Sequence, residues 1–263
     1  MNPEGHIDIA SASDAHSTTP LGATKALLVF VVYIASQFVA SILLGVVVGL
    51  TYALSGVHAP DTVAEISRSV QGPALVIGLI VSALIVVQMV RRFAPGSIKG
   101  RSRDGIGWSL GEPAYLLSGL VIGVALGIGY LSIASVLVPP DPDMARGPLA
   151  EMAITPGLSQ LSWVFIAIVL APPLEEFLFR GVLFSGIARS WGQSIAALLV
   201  TALFVIVHLP ETRYYWPSVI AVLLLGITTL LMRVKSESLG PAVTLHLAYN
   251  LVLVITVSLV SMG

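Results

Sequence analysis

Three clusters of polar residues interrupt an otherwise apolar chain, and their residue types are those of acid–base chemistry. The first is Ala171-Pro172-Pro173-Leu174-Glu175-Glu176-Phe177-Leu178-Phe179-Arg180-Gly181, which holds three charges. The second runs from Phe204 to His208, and the third from His246 to Asn250. A carboxylate can take a proton from water, an imidazole can share that proton or ligate a metal, and an amide N–H can donate to a developing oxyanion. Glu176 and Arg180 stand four residues apart, hence on one helical face and able to pair. Glu175 is turned about 100° away and has no partner nearby in sequence. A purely structural ion-pair cluster explains Glu176 and Arg180 but leaves Glu175 over. A spare carboxylate in apolar surroundings needs partners from elsewhere in the chain.

Composition makes those surroundings a membrane. Of 263 residues, 56% are hydrophobic and 10% charged, against about 25% charged in a soluble domain. A net charge of −1, with no basic tract interleaved with aromatics, excludes a nucleic-acid partner. Cysteine is absent, so disulfides and thiolate metal sites are excluded too. Seven stretches approach the ~20 apolar residues of a membrane-crossing helix: 25–54, 72–91, 113–138, 161–188, 193–209, 217–234 and 240–261. Lipid offers backbone polar groups no water, so such stretches are expected as helices. The expected fold is all-α: one polytopic transmembrane bundle of about seven spans over residues 24–263, after a disordered polar tail at 1–23. That tail has no Lys or Arg and so does not read as a secretory signal. A break at Pro172–Pro173, dividing the fourth stretch into two shorter helices, is the alternative.

Small residues and aromatics suggest how the spans pack. Gly119, Gly123 and Gly127 share one helical face, as do Gly45 and Gly49, and both sets are expected to let a neighbouring helix approach closely. Trp108 and Tyr214-Tyr215-Trp216 flank spans, as interfacial anchors do.

The basic residues orient the bundle. With the N-terminus cytoplasmic, the inside segments carry Lys25, Arg91, Arg92, Lys99, Arg101, Arg103, Arg189, Arg233 and Lys235. The outside segments carry Arg68, Arg146 and Arg213, among Asp61, Glu65, Asp141, Asp143, Glu151 and Glu211. This asymmetry is the positive-inside pattern. The remaining basic residue, Arg180, falls well inside a span rather than near its end. The chain is thus expected as a multi-pass protein of a bacterial plasma membrane.

Helix rise gives a depth for each polar cluster. From the turn near Ser190–Gly192, Glu175 lies back along one span and His208 forward along the next. At about 1.5 Å per residue both sit roughly 22–25 Å from that turn and can face one another. His246 is early in its own span, about 10 Å shallower. Tilt, or a chain segment that re-enters the membrane, has to close that gap. His208 and His246 are the histidines within spans; His6, His16 and His58 fall in tail or loop.

Taken in order, Glu175-Glu176…Arg180, Phe204…His208 and His246…Asn250 resemble the signature of the CAAX protease and bacteriocin-processing family, also called the ABI family. The resemblance covers roughly residues 115–262 and extends to the Pro run before the glutamates, the Phe-Arg-Gly after them, and the Gly226 segment that leads through Ser236–Leu239 into the third motif. It implies an intramembrane endopeptidase in the lipid bilayer, acting on a peptide or membrane-protein substrate. The family includes type II CAAX prenyl endopeptidases and bacterial members tied to peptide processing or bacteriocin immunity. By resemblance Glu175 is the base that activates water, His208 helps to hold and polarise that water, and His246 and Asn250 donate to the oxyanion. Glu176, Arg180 and Phe204 are the structural support.

Two points stay open in the sequence. Glu175, His208 and His246 also make a candidate His2Glu zinc set, although His-Glu-x-x-His is absent and metal-free glutamate catalysis is the preferred reading. The competing functions are a non-catalytic scaffold or immunity protein that keeps the fold, and a proton-coupled transporter using Glu175 and His208 as a relay. A serine mechanism is not expected, since no Gly-x-Ser-x-Gly elbow occurs.

Overall fold

The computed structural model describes residues 20–56, 60–98, 105–138 and 148–262. Among them it is a helical bundle without strands, and seven helices are long and apolar enough to cross a membrane. The crossing helices are α1 (Ala23–Ser55), α2 (Pro60–Phe93), α3 (Pro113–Leu137), α5 (Leu158–Trp191), α6 (Gln193–Thr212), α7 (Trp216–Ser236) and α8 (Gly240–Met262). A short helix, α4 (Pro148–Ile154), precedes α5. The molecule is an integral, multi-pass membrane protein. Its outer faces agree: Phe38, Leu54 and Val136 stand exposed on them, as apolar side chains that face lipid do. Of the expected tail, residues 1–19 lie outside the described residues. Leu21 is already buried, and the Ala23 N–H donates to Ser190 Oγ at 3.0 Å.

The centre of the bundle is α5, against which the α1–α2 hairpin packs on one side and α6, α7 and α8 on others. It is continuous through Pro172 and Pro173, so the divided fourth span does not occur. Two π-wound turns, Ile166–Leu170 and Glu176–Leu183, absorb the prolines instead. The wider winding moves hydrogen bonds off the carbonyls that proline cannot serve.

Close helix approach occurs where one glycine face was expected and not where the other was. A Cβ on Gly119 would lie 2.5 Å from the Pro241 carbonyl oxygen, and one on Gly123 2.2 Å from that of Leu245. The stripe is therefore the contact between α3 and α8. Gly45 and Gly49 meet nothing within 4 Å: their half of α1 is largely exposed, and faces lipid.

One segment between α2 and α3 positions the rest. Residues 105–111 turn inward, with Ile106 1% exposed. The Gly105 carbonyl accepts from Ser185 Oγ and from Arg233 Nη2, each at 2.9 Å. The N–H groups of Leu239 and Gly240 donate to the carbonyls of Gly107 and Ser109 at 2.8 and 2.9 Å. Gly107 has φ +74°, and a Cβ there would sit 2.8 Å from the Arg233 guanidinium, so both conformation and space require glycine. Arg233, expected on a cytoplasmic segment, is thus a buried staple at 2% exposure. Trp108, expected as an interfacial anchor, is half-exposed and sets its ring edge-on to Phe177 at 5.5 Å. At the other end Tyr215 donates to the carbonyls of Ala134 and Val138, which satisfies the last turn of α3.

Candidate active site

Glu175 and His208 come together because α5 and α6 form a hairpin with a one-residue reversal. Gly192 makes it, at φ +90°, a conformation open chiefly to glycine. The two residues stand at similar distances along the chain from that turn, hence at similar depth. Oε2 of Glu175 lies 3.6 Å from Nε2 of His208 and 3.8 Å from Nε2 of His246.

His246 reaches this depth by the re-entrant route. The turn from α7 into α8 is seated beside Gly181, where a Cβ would meet Ile106 Cγ2 at 2.7 Å and Leu239 Cδ1 at 3.1 Å. Gly181 lies roughly 13 Å inward of Ser190 at the rise of a helix. Helix α8 therefore starts inside the bundle, and the expected offset of about 10 Å disappears.

Each imidazole is held by its Nδ1. In His208 that nitrogen lies 2.7 Å from the Phe204 carbonyl oxygen, and in His246 it lies 2.8 Å from Glu176 Oε1. A carbonyl accepts and cannot donate, so His208 Nδ1 carries a proton and its Nε2 faces Glu175. Glu176 is completely buried, as is Arg180, whose Nη1 lies 3.2 Å from the same Oε1. Arg180 also donates from Nη2 to the Gly226 carbonyl at 3.0 Å. The Phe204 ring lies against this group, with its centroid 4.1 Å from the Arg180 guanidinium carbon and 4.4 Å from the His208 ring. Glu176 is thus more than helix support, because it holds the His246 ring.

Asn250 sits on the same helix one turn beyond His246, and its amide is partly committed. Nδ2 donates to the Ala167 carbonyl at 2.8 Å. That carbonyl is orphaned by the winding of α5. The Ala171 N–H, its α-helical partner, goes to Ile166 instead, and the next candidate, Pro172, has no N–H.

Access divides the cluster. The Glu175 and His208 side chains keep 17% and 26% of their surface, whereas His246 keeps 4% and Glu176 and Arg180 none. Among the described residues Glu175 Oε2 has no hydrogen-bond partner. Oε2 itself is buried, so the exposed part of Glu175 lies elsewhere on its side chain.

Residues 157–252 match the family model of the Rce1-like type II CAAX prenyl endopeptidases. The matched segment contains Glu175, Glu176, Arg180, Phe204, His208, His246 and Asn250, and is narrower than the 115–262 of the motif resemblance. It leaves out α1 to α4. Neither the comparison with curated proteins nor that with solved structures found a match.

Sequence reasoning missed Arg233 and Ala167. Arg233 lies seven residues after Gly226, two turns on and on one face, a signal that it points inward. Ala167 could be found by asking which carbonyls Pro172 leaves unserved.

Proposed function

We propose that the chain is an intramembrane endopeptidase that hydrolyses a peptide bond of a membrane-associated protein or peptide. The observation that carries this reading is the convergence of Glu175 Oε2 with the two imidazole Nε2 atoms at 3.6 and 3.8 Å. Glu175 takes a proton from the attacking water and passes it to the leaving amine as the C–N bond breaks, while His208 Nε2 accepts a hydrogen bond from the water's other hydrogen, which orients its lone pair toward the scissile carbonyl. His246 donates to the oxyanion from Nε2. Asn250 gives one amide hydrogen to Ala167 and has a second to give to the oxyanion. Such donors in a site poor in water are worth about 2.7–4 kcal/mol each to the transition state.

Zinc is the other reading of the same side chains. Two histidines and a glutamate suit it by donor type. Among the described residues, however, no three such groups stand as a metal site, so no step is assigned to one. The basic residues support a cytoplasmic N-terminus, and a bacterial plasma membrane is part of the same proposal. The family description makes a prenylated C-terminal peptide the first substrate to try, beside a general peptide library. Purified protein in detergent, wild type against Glu175→Gln, is the test. Cleavage by wild type alone supports the proposal, equal cleavage by both removes Glu175 as the base, and no cleavage by either favours a scaffold.

A further inference from the structure

On the face of α5 turned away from Glu175, a groove of about 470 Å³ opens toward lipid. This is within the range of small-molecule sites, about 300–1,000 Å³. Its walls are Ala83 and Val87 of α2, Val169, Pro173 and Phe177 of α5, and Trp108 of the re-entrant segment. Val169 is 51% exposed, so the groove can be entered sideways from the bilayer.

The end of the groove is not apolar. Arg91 lines it, is exposed, and has no carboxylate partner among the described residues. Arg92 beside it is exposed as well, and Lys25 Nζ is at 3.4 Å from the Phe93 carbonyl. At the rim Trp108 packs edge-on against Phe177. An apolar trough that ends in unpaired guanidinium beside an indole has the polarity of an amphiphile, tail inward and anion at Arg91.

We propose that the groove between α2 and α5 binds an anionic phospholipid, with one acyl chain along Val87, Pro173 and Phe177 and the headgroup phosphate on Arg91. The ligand belongs to the solvent in which the helices stand, so it reaches the groove by lateral diffusion. Pro173 and Phe177 bracket Glu175 and Glu176 in sequence, so a chain seated there braces the back of the helix that carries both carboxylates. The proposal does not depend on the proteolytic reading.

Native mass spectrometry of the whole protein, released from nanodiscs of equal phosphatidylglycerol and phosphatidylcholine, tests it. Wild type is expected to retain phosphatidylglycerol in preference by about fivefold, the effect of one basic residue at an anionic surface. Arg91→Gln removes the preference, whereas Arg68→Gln, at an exposed site on the opposite end of α2, leaves it. Val87→Trp, which fills the trough, lowers retention of both lipids. Equal retention by wild type, a preference that survives Arg91→Gln, or full retention by Val87→Trp overturns the proposal.

Discussion

His246 bridges the two adjacent glutamates: its Nδ1 lies 2.8 Å from Glu176 Oε1 and its Nε2 3.8 Å from Glu175 Oε2. Neighbours on one helix point about 100° apart, and a single imidazole from α8 spans that angle. The fully buried Glu176 thereby fixes the ring that faces Glu175.

Glu175→Gln is expected to lower peptide cleavage by at least about 10²–10⁴-fold, the usual contribution of a positioned base. An amide cannot accept the proton. Unfolding in detergent should be unchanged or slightly later, since the substitution removes a partly buried charge. Cleavage assays and thermal melts on one preparation read both, and full activity would end the assignment.

Arg180→Ala leaves Glu176 buried without its cation and is expected to cost about 3–5 kcal/mol, read as lost folded yield. Glu176→Gln should lower yield and also turnover, because a neutral amide holds the His246 ring less firmly than the carboxylate at 2.8 Å does. If Glu176→Gln folds normally and cleaves normally, the link through His246 is wrong.

Asn250→Ala removes a donor and frees the Ala167 carbonyl. The expected result is a fall of about 10²–10³-fold in kcat with residual activity, and a small loss of stability from the orphaned carbonyl. A change in KM alone would assign Asn250 to substrate binding.

Treatment with a chelator should leave wild-type activity intact, since the proposed reaction uses water held by Glu175 and His208. Activity lost on chelation and restored by zinc would replace that route with a His2Glu metal site.

The chain has no cysteine, so single cysteines report topology directly. Lys235→Cys, exposed at the end of α7, should resist impermeant thiol reagents in intact cells, and Arg213→Cys, exposed between α6 and α7, should react. The reverse pattern would invert the orientation.

The sequence by itself determined the spans and the chemical inventory. Helix extent was legible because lipid admits few ways to satisfy a backbone, so long apolar runs have to become helices. The facing of Glu175 and His208 was legible too, because both are counted from one turn and a helix rises at a fixed rate. Tertiary structure decided what linear counting cannot reach. Whether a glycine face meets a helix or lipid depends on a neighbour that the sequence does not name: Gly123 touches α8, while Gly45 touches nothing within 4 Å. The depth of His246 depends on a loop far away in the chain, residues 105–111, which seats the start of α8 beside Gly181. The partner of Asn250 depends on the π-winding that Pro172 and Pro173 impose on α5. In each case the deciding contact joins segments distant in sequence, and packing rather than periodicity selects it.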